Sequence, residues 1–140
     1  KRNIGLIFQT PLLFPHMTIG DNLGFGMVAR PKIEDNDKTR QQLISEALER
    51  ANLGGMEHRD PETLSGGQKA RVALLRTLLA EPEALLLDEP FSSLDGEMRE
   101  QMLALIQSES QRLNLPVLLV SHDPRDHQLG QQPPIMLKAC

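Results

Sequence analysis

The sequence predicts an α/β fold built on a parallel sheet, and three observations predict it. Ala84-Leu85-Leu86-Leu87 and Val117-Leu118-Leu119-Val120 are unbroken apolar runs of strand length, and a helical pattern from about Gly96 to Leu113 separates them. Each run closes on polar, chemistry-bearing residues, Asp88-Glu89 after the first and Ser121-His122-Asp123 after the second. Unbroken apolar runs suit strands buried on both faces of a sheet. Strand, helix, strand in that order argues for parallel pairing through a right-handed crossover. Ligands of such sheets gather at the carboxyl ends of the strands, so Asp88 and Glu89 are expected at the mouth of a site.

In chain order, Ile4-Gly5-Leu6-Ile7-Phe8 reads as a short strand with Ile4, Leu6 and Phe8 on one face, followed by Gln9. Leu12 to Met27 holds a proline and several apolar residues in an irregular loop, within which Thr18 to Asn22 can cap a helix. His16 reads as a loop surface residue, since no second metal ligand is suitably spaced. Ala29 to Asp37 turns polar and acidic, a linker or solvated helix start. Leu43, Ile44, Ala47, Leu48 and Ala51 then recur at helical spacing over about Lys38 to Asn52, with Leu53-Gly54-Gly55 as the stop. Met56 to Thr63 is a polar loop containing Pro61.

Leu64-Ser65-Gly66-Gly67-Gln68 follows, immediately before a helix that starts near Gln68 and buries Val72, Leu75 and Leu79. Lys69, Arg71 and Arg76 are free on that pattern to reach solvent or partners. The first N–H groups of a helix have no internal partner. Two residues without Cβ allow a phosphate to approach those donors and the Ser65 hydroxyl. Taken alone, Ser-Gly-Gly is more often a plain serine cap. Glu81-Pro82 ends the helix and the apolar run to Asp88-Glu89 begins. On a strand, neighbouring carboxylates point to opposite sides. One can hold Mg²⁺ while the other orients or deprotonates an attacking water. Beyond them Pro90 to Asp95 forms a turn and Asp95 can cap the next helix, which lays Met98, Met102, Leu105, Ile106 and Leu113 largely along one face. Asn114-Leu115-Pro116 breaks it before the second apolar strand.

The Leu64 to Gln68 turn, the Leu85 to Pro90 strand end and the Ser92 to Asp95 turn resemble the signature motif, Walker B motif and D-loop of ATP-binding cassette ATPases. The likeness extends to Arg71-Val72-Ala73-Leu74 and Arg76, and covers about residues 3 to 123. It implies a P-loop-type parallel sheet core, partial in this chain, with a small helical subdomain carrying the signature. On that division about 12–80 form the helical lobe, and 1–11 with 81–140 form the catalytic core. The resemblance also implies ATP and Mg²⁺ as cofactors. Glu89 becomes the general base and His122 the switch histidine that contacts the γ-phosphate and holds Glu89 and the water in line. Asp88 and Gln9 serve Mg²⁺. Ser65, Gly66, Gly67 and Gln68 meet the γ-phosphate of ATP bound to a second ATPase subunit, and Asp95 crosses the dimer interface.

The stretch LFPHMTIGDN is similar to the version in bacterial importers, where the Leu12 to Met27 region accepts the coupling helix of a transmembrane permease subunit. The implied function is an energy-coupling ATPase subunit of an importer, a dimer at the cytoplasmic face of the inner membrane. Its signature region resembles ATPases of thiamine-type or other small-solute uptake. Alternatives are a soluble ATPase of the same superfamily in DNA repair or translation, or an inactive remnant.

The chain departs from the family pattern in two places. It has no G-x-x-x-x-G-K-S/T and lacks the aromatic that stacks on adenine in the family, and its end, DPRDHQLGQQPPIMLKAC, leaves the usual pattern with Ile135-Met136-Leu137 as a strand remnant. Lys1 is not an initiator methionine, so the expectation is the C-terminal portion of a longer subunit. With 15 basic against 19 acidic residues there is no basic footprint for nucleic acid. Cys140 is the only cysteine, which rules out a disulfide framework within the chain and suits a reducing compartment. No apolar run reaches the roughly 18 residues of a membrane span, so membrane contact is expected through a partner.

Overall fold

A computed structural model describes residues 3–28 and 37–129. Strands β1 (Ile4–Ile7), β2 (Ala84–Asp88) and β3 (Val117–Val120) form a parallel sheet in that order. Helices α1 (Ile19–Met27), α2 (Asp37–Arg50) and α3 (Gly66–Leu79) lie between β1 and β2 in the chain, and α4 (Gly96–Leu113) crosses from β2 to β3. Short 3₁₀ turns occupy Pro61–Thr63 and Pro124–Leu129. The α/β class and the parallel sheet read from the sequence are those observed. Most of the acidic linker and the Ile135 to Leu137 stretch lie outside the described residues.

Register pairs Leu6 with Leu86 and Leu86 with Leu118, so these three share a face, while Ile7, Leu87 and Leu119 line the other. The second face is the core. Ile7, Leu85 and Leu87 join Leu74, Leu75 and Leu78 of α3 and Met102, Leu105 and Ile106 of α4 in one cluster that continues to Leu23 and Leu48. The first face is bare among the described residues, with Ile4, Leu6 and Val120 exposed and Leu118 65% exposed. This corrects the reading of strands covered on both sides. Apolar runs report a chemistry suited to burial, but the described helices all pack on a single face.

Two helix ends show why the boundaries fall where they do. Asn52 takes the left-handed conformation at φ 55°, its N–H bonds Glu49 O at 3.0 Å, and Leu53 N–H bonds Leu48 O at 2.8 Å. That is a Schellman closure with asparagine in place of glycine. It ends α2 ahead of the expected Leu53-Gly54-Gly55 stop. Asn114 does the same for α4, with Leu115 N–H on Ser110 O at 2.8 Å. Along α4, Met102, Leu105 and Ile106 are buried as the spacing predicts, but Leu113 ends exposed. Glu109 takes a buried place on that helix, paired with Arg50 of α2 at 2.9 Å and with Arg112 at 2.6 Å. Helix α1 lies so close to α3 that a Cβ at Gly26 would collide with Arg76 O.

The bare face sets the solution behaviour of these residues by themselves. Prepared alone, they are expected to self-associate and bind a hydrophobic dye, and Leu118→Lys is expected to raise the monomer fraction in light scattering. A monodisperse parental preparation that unfolds in one cooperative step counts against this.

Candidate functional site at the carboxyl end of the sheet

Parallel pairing places three chain segments at one edge. Ile7 is in register with Leu87, so Gln9 and Asp88 leave the sheet at the same end, and both are exposed. Asp88 is in register with Val120, so His122 leaves there too. Glu89 does not continue the strand alternation on which opposite-facing carboxylates were expected. Its φ is 50°, a left-handed conformation that costs a non-glycine residue about 1–3 kcal/mol. Its N–H still bonds Val120 O at 2.9 Å, and its carbonyl accepts from Ser92 N–H at 3.3 Å and from the Ser92 hydroxyl at 3.0 Å.

The kink turns the Glu89 carboxylate onto His122. Glu89 Oε1 accepts the His122 backbone N–H at 3.0 Å and lies 2.7 Å from His122 Nδ1. The hydrogen bond to Glu89, and then its charge, raise the His122 pKa above the ordinary histidine value. With Nδ1 committed to the carboxylate, Nε2 is the ring atom left to face a ligand.

The glycine turn is built differently from its simplest reading. Helix α3 begins at Gly66, ahead of Gln68, with Ser65 as its cap. Ser65 Oγ accepts Gln68 N–H at 3.2 Å and Gln68 Oε1 accepts Ser65 N–H at 2.9 Å, a reciprocal capping box. Ser65 and Gln68 thus bond each other, not the Glu89–His122 pair. Gly66 faces open space, as a phosphate approach requires. Gly67 is buried, and a Cβ there would meet Met98 Sδ at 2.5 Å. Its missing side chain seats the turn against α4, whose cap Asp95 accepts Met98 N–H at 3.0 Å.

Arg71 and Arg76, read as free to reach solvent or partners, turn inward onto groups of this chain. Arg71 donates to Ala51 O at 2.8 Å. Arg76 donates to Leu12 O at 2.5 Å and to Asn22 Oδ1 at 3.3 Å, and sits 5.1 Å from the Phe14 ring centroid. Burial lowers the pKa of both guanidinium groups. Asn22 is fully buried; its Oδ1 accepts Phe14 N–H at 2.8 Å and its amide donates to the carbonyls of Phe14, Met17 and Thr18. Sequence reading passed over Asn22, because an asparagine after a capping threonine looks like ordinary helix-start chemistry. An open groove of about 1030 Å³ beside this loop is lined by His16, Thr18, Phe25, Arg40, Ile44 and Glu57 among others. It lies on α1 and α2, apart from the Glu89–His122 pair.

Residues 1–92, from β1 through the turn after Glu89, match the family model described as ABC transporter. The chain belongs to the ABC transporter family. It is 48% identical over 126 residues to the uncharacterized ABC transporter ATP-binding protein YnjD of Escherichia coli, covering 90% of this chain and 56% of that protein. It is 43% identical over 126 residues to the thiamine import ATP-binding protein ThiQ of Cereibacter sphaeroides, covering 90% of this chain and 53% of that one. A dimeric ATP-binding cassette in a post-hydrolysis state, bound to ADP and Pi, superposes with a TM-score of 0.79 at 28% identity, over 93% of this chain and 56% of the other. The chain thus spans about half the length of these two relatives.

The Glu89–His122 contact has a direct readout in this ABC family chain. In the intact protein, the ring titration of His122 followed by NMR is expected to lie above that of an ordinary histidine and to fall toward it in Glu89→Gln. The charged imidazole loses its anionic partner in that variant. A midpoint unmoved by the substitution would show that the contact does not persist in solution.

Proposed function

We propose that this chain supplies the Walker B, signature and switch-histidine portion of an ATPase subunit that powers a membrane importer. The observation that carries the reading is the convergence of Asp88, Glu89 and His122 at the carboxyl end of a parallel sheet, in a chain of this family. The import-subunit relatives support the transport role, and the dimeric cassette supports a working pair of subunits.

In this reading Glu89 is the general base. His122 bonds Glu89 through Oε1, which leaves Oε2 for the attacking water. His122 Nε2 faces the γ-phosphate and steadies the charge that develops there. Asp88 and Gln9 fit a Mg²⁺ that keeps most of its shell as water and phosphate oxygen. Both are exposed oxygen donors at one sheet end, and no group of three His, Cys, Asp or Glu ligands stands among the described residues. When bound, the ion neutralises phosphate charge. Ser65, Gly66, Gly67 and Gln68 offer the α3 N-terminus to ATP on the partner subunit, with Asp95 close behind at the interface. The Leu12 to Met27 segment receives the permease's coupling helix; exposed Leu12 and Phe25 and the groove along α1 support that role. No helix among the described residues is long and apolar enough to cross a membrane, which accords with attachment through the permease at the cytoplasmic face.

The test is Glu89→Gln in the intact protein. ATP turnover is expected to fall by about 10²–10⁴ while ATP binding persists, since the substitution removes a proton acceptor and keeps the shape. Turnover at the parental rate would remove Glu89 from the reaction.

A further inference from the structure

Arg99, in the first turn of α4, stands between the two chain segments that carry Glu89 and His122. On one side its guanidinium lies 5.5 Å from the centroid of Phe91, a buried ring two residues beyond Glu89. On the other, Arg99 donates to Asp123 Oδ2 at 3.0 Å and pairs with Asp126. Asp126 is buried and also accepts from the Ser121 hydroxyl, while Asp123 N–H donates to Ser121 Oγ at 3.1 Å. One guanidinium therefore ties down Asp123 directly, and Ser121 through Asp126, on either side of His122. Arg99 is itself anchored, its backbone N–H on Asp95 O at 2.8 Å.

Packing does not hold the catalytic pair in place. The His122 side chain is 82% exposed and that of Glu89 24%. Their spacing depends on the backbone beneath them, above all on the His122 N–H bond to Glu89 Oε1. We propose that Arg99 is a positioning residue for ATP hydrolysis, bridging Phe91 to Asp123 and Asp126 so that the His122 segment stays against Glu89. The role suits arginine specifically. A planar fork sends separate N–H groups to two carboxylates and turns a flat cationic face to a ring, whereas a lysine ammonium gathers its donors on one nitrogen and has no flat face. Arg125 also pairs with Asp123, at 2.6 Å, but from the solvent side and without reaching Phe91 or Asp126.

The inference rests on the reading of Glu89 and His122 as hydrolytic residues, and the experiment separates the two. In the intact protein, steady-state ATPase is measured for Arg99→Ala, Arg99→Lys, Arg125→Ala and Glu89→Gln beside circular-dichroism melts. Arg99→Ala and Arg99→Lys are expected to lose about 10- to 100-fold in kcat, with KM for ATP within about twofold, as displaced catalytic groups do. Guanidinium ion added at millimolar levels is expected to restore part of the Arg99→Ala rate, and Arg125→Ala to stay near parental. If Arg99→Ala does not fold, Arg99→Lys, which keeps the buried charge beside Asp126, decides. A folded Arg99→Lys at the parental kcat, with Glu89→Gln inactive, overturns the positioning role alone. Glu89→Gln at the parental rate overturns both.

Discussion

Strand β2 is hydrogen-bonded along both edges, and this two-sided parallel ladder is the constraint on which the rest of the structure depends. It sets Ile7 beside Leu87 and Asp88 beside Val120, and so brings three segments distant in sequence to one end of the sheet. Buried Leu85 and Leu87 hold the strand against α3 and α4, so the ladder is fastened to the core and not only to its neighbours. The last link of the ladder, Glu89 N–H to Val120 O, coincides with the left-handed kink that directs the Glu89 carboxylate to His122. The strain at that residue is therefore held by ladder bonds on one side and by Ser92 on the other.

A second set of contacts surrounds α3. Its N-terminus is closed by the Ser65–Gln68 box and seated on Met98 through Gly67, while Arg76 near its far end holds Leu12, Phe14 and Asn22. The helix that presents the glycine turn is thus joined to the loop before α1. These polar side chains satisfy loop carbonyls that the sheet and helices leave over, which is why two arginines that look free in the sequence are partly buried. The loop before α1 and the glycine turn at the start of α3 thus share one helix as their support.

Much of the site was legible in the sequence. Asp88, Glu89, Gln9 and His122 could be placed at strand ends because apolar runs closed by polar residues mark where a buried strand emerges. Ser65 and Asp95 could be read as caps because a short polar side chain before a helix satisfies free N–H groups. The burial of Gly67 against Met98 and the hub that joins Asn22 to Arg76 were not legible in the same way. Each depends on a partner distant in the chain.

The sequence by itself determined the three strands, helices α2 to α4 and their order, the parallel α/β class and the family, since period, breakers and motif spacing are local properties of the chain. Tertiary structure decided which sheet face the helices cover, the left-handed turn that aims Glu89, and the two carboxylates that Arg99 joins. These are decided by register and packing between distant segments, and a side chain's pattern in the sequence carries its chemistry but not its neighbour.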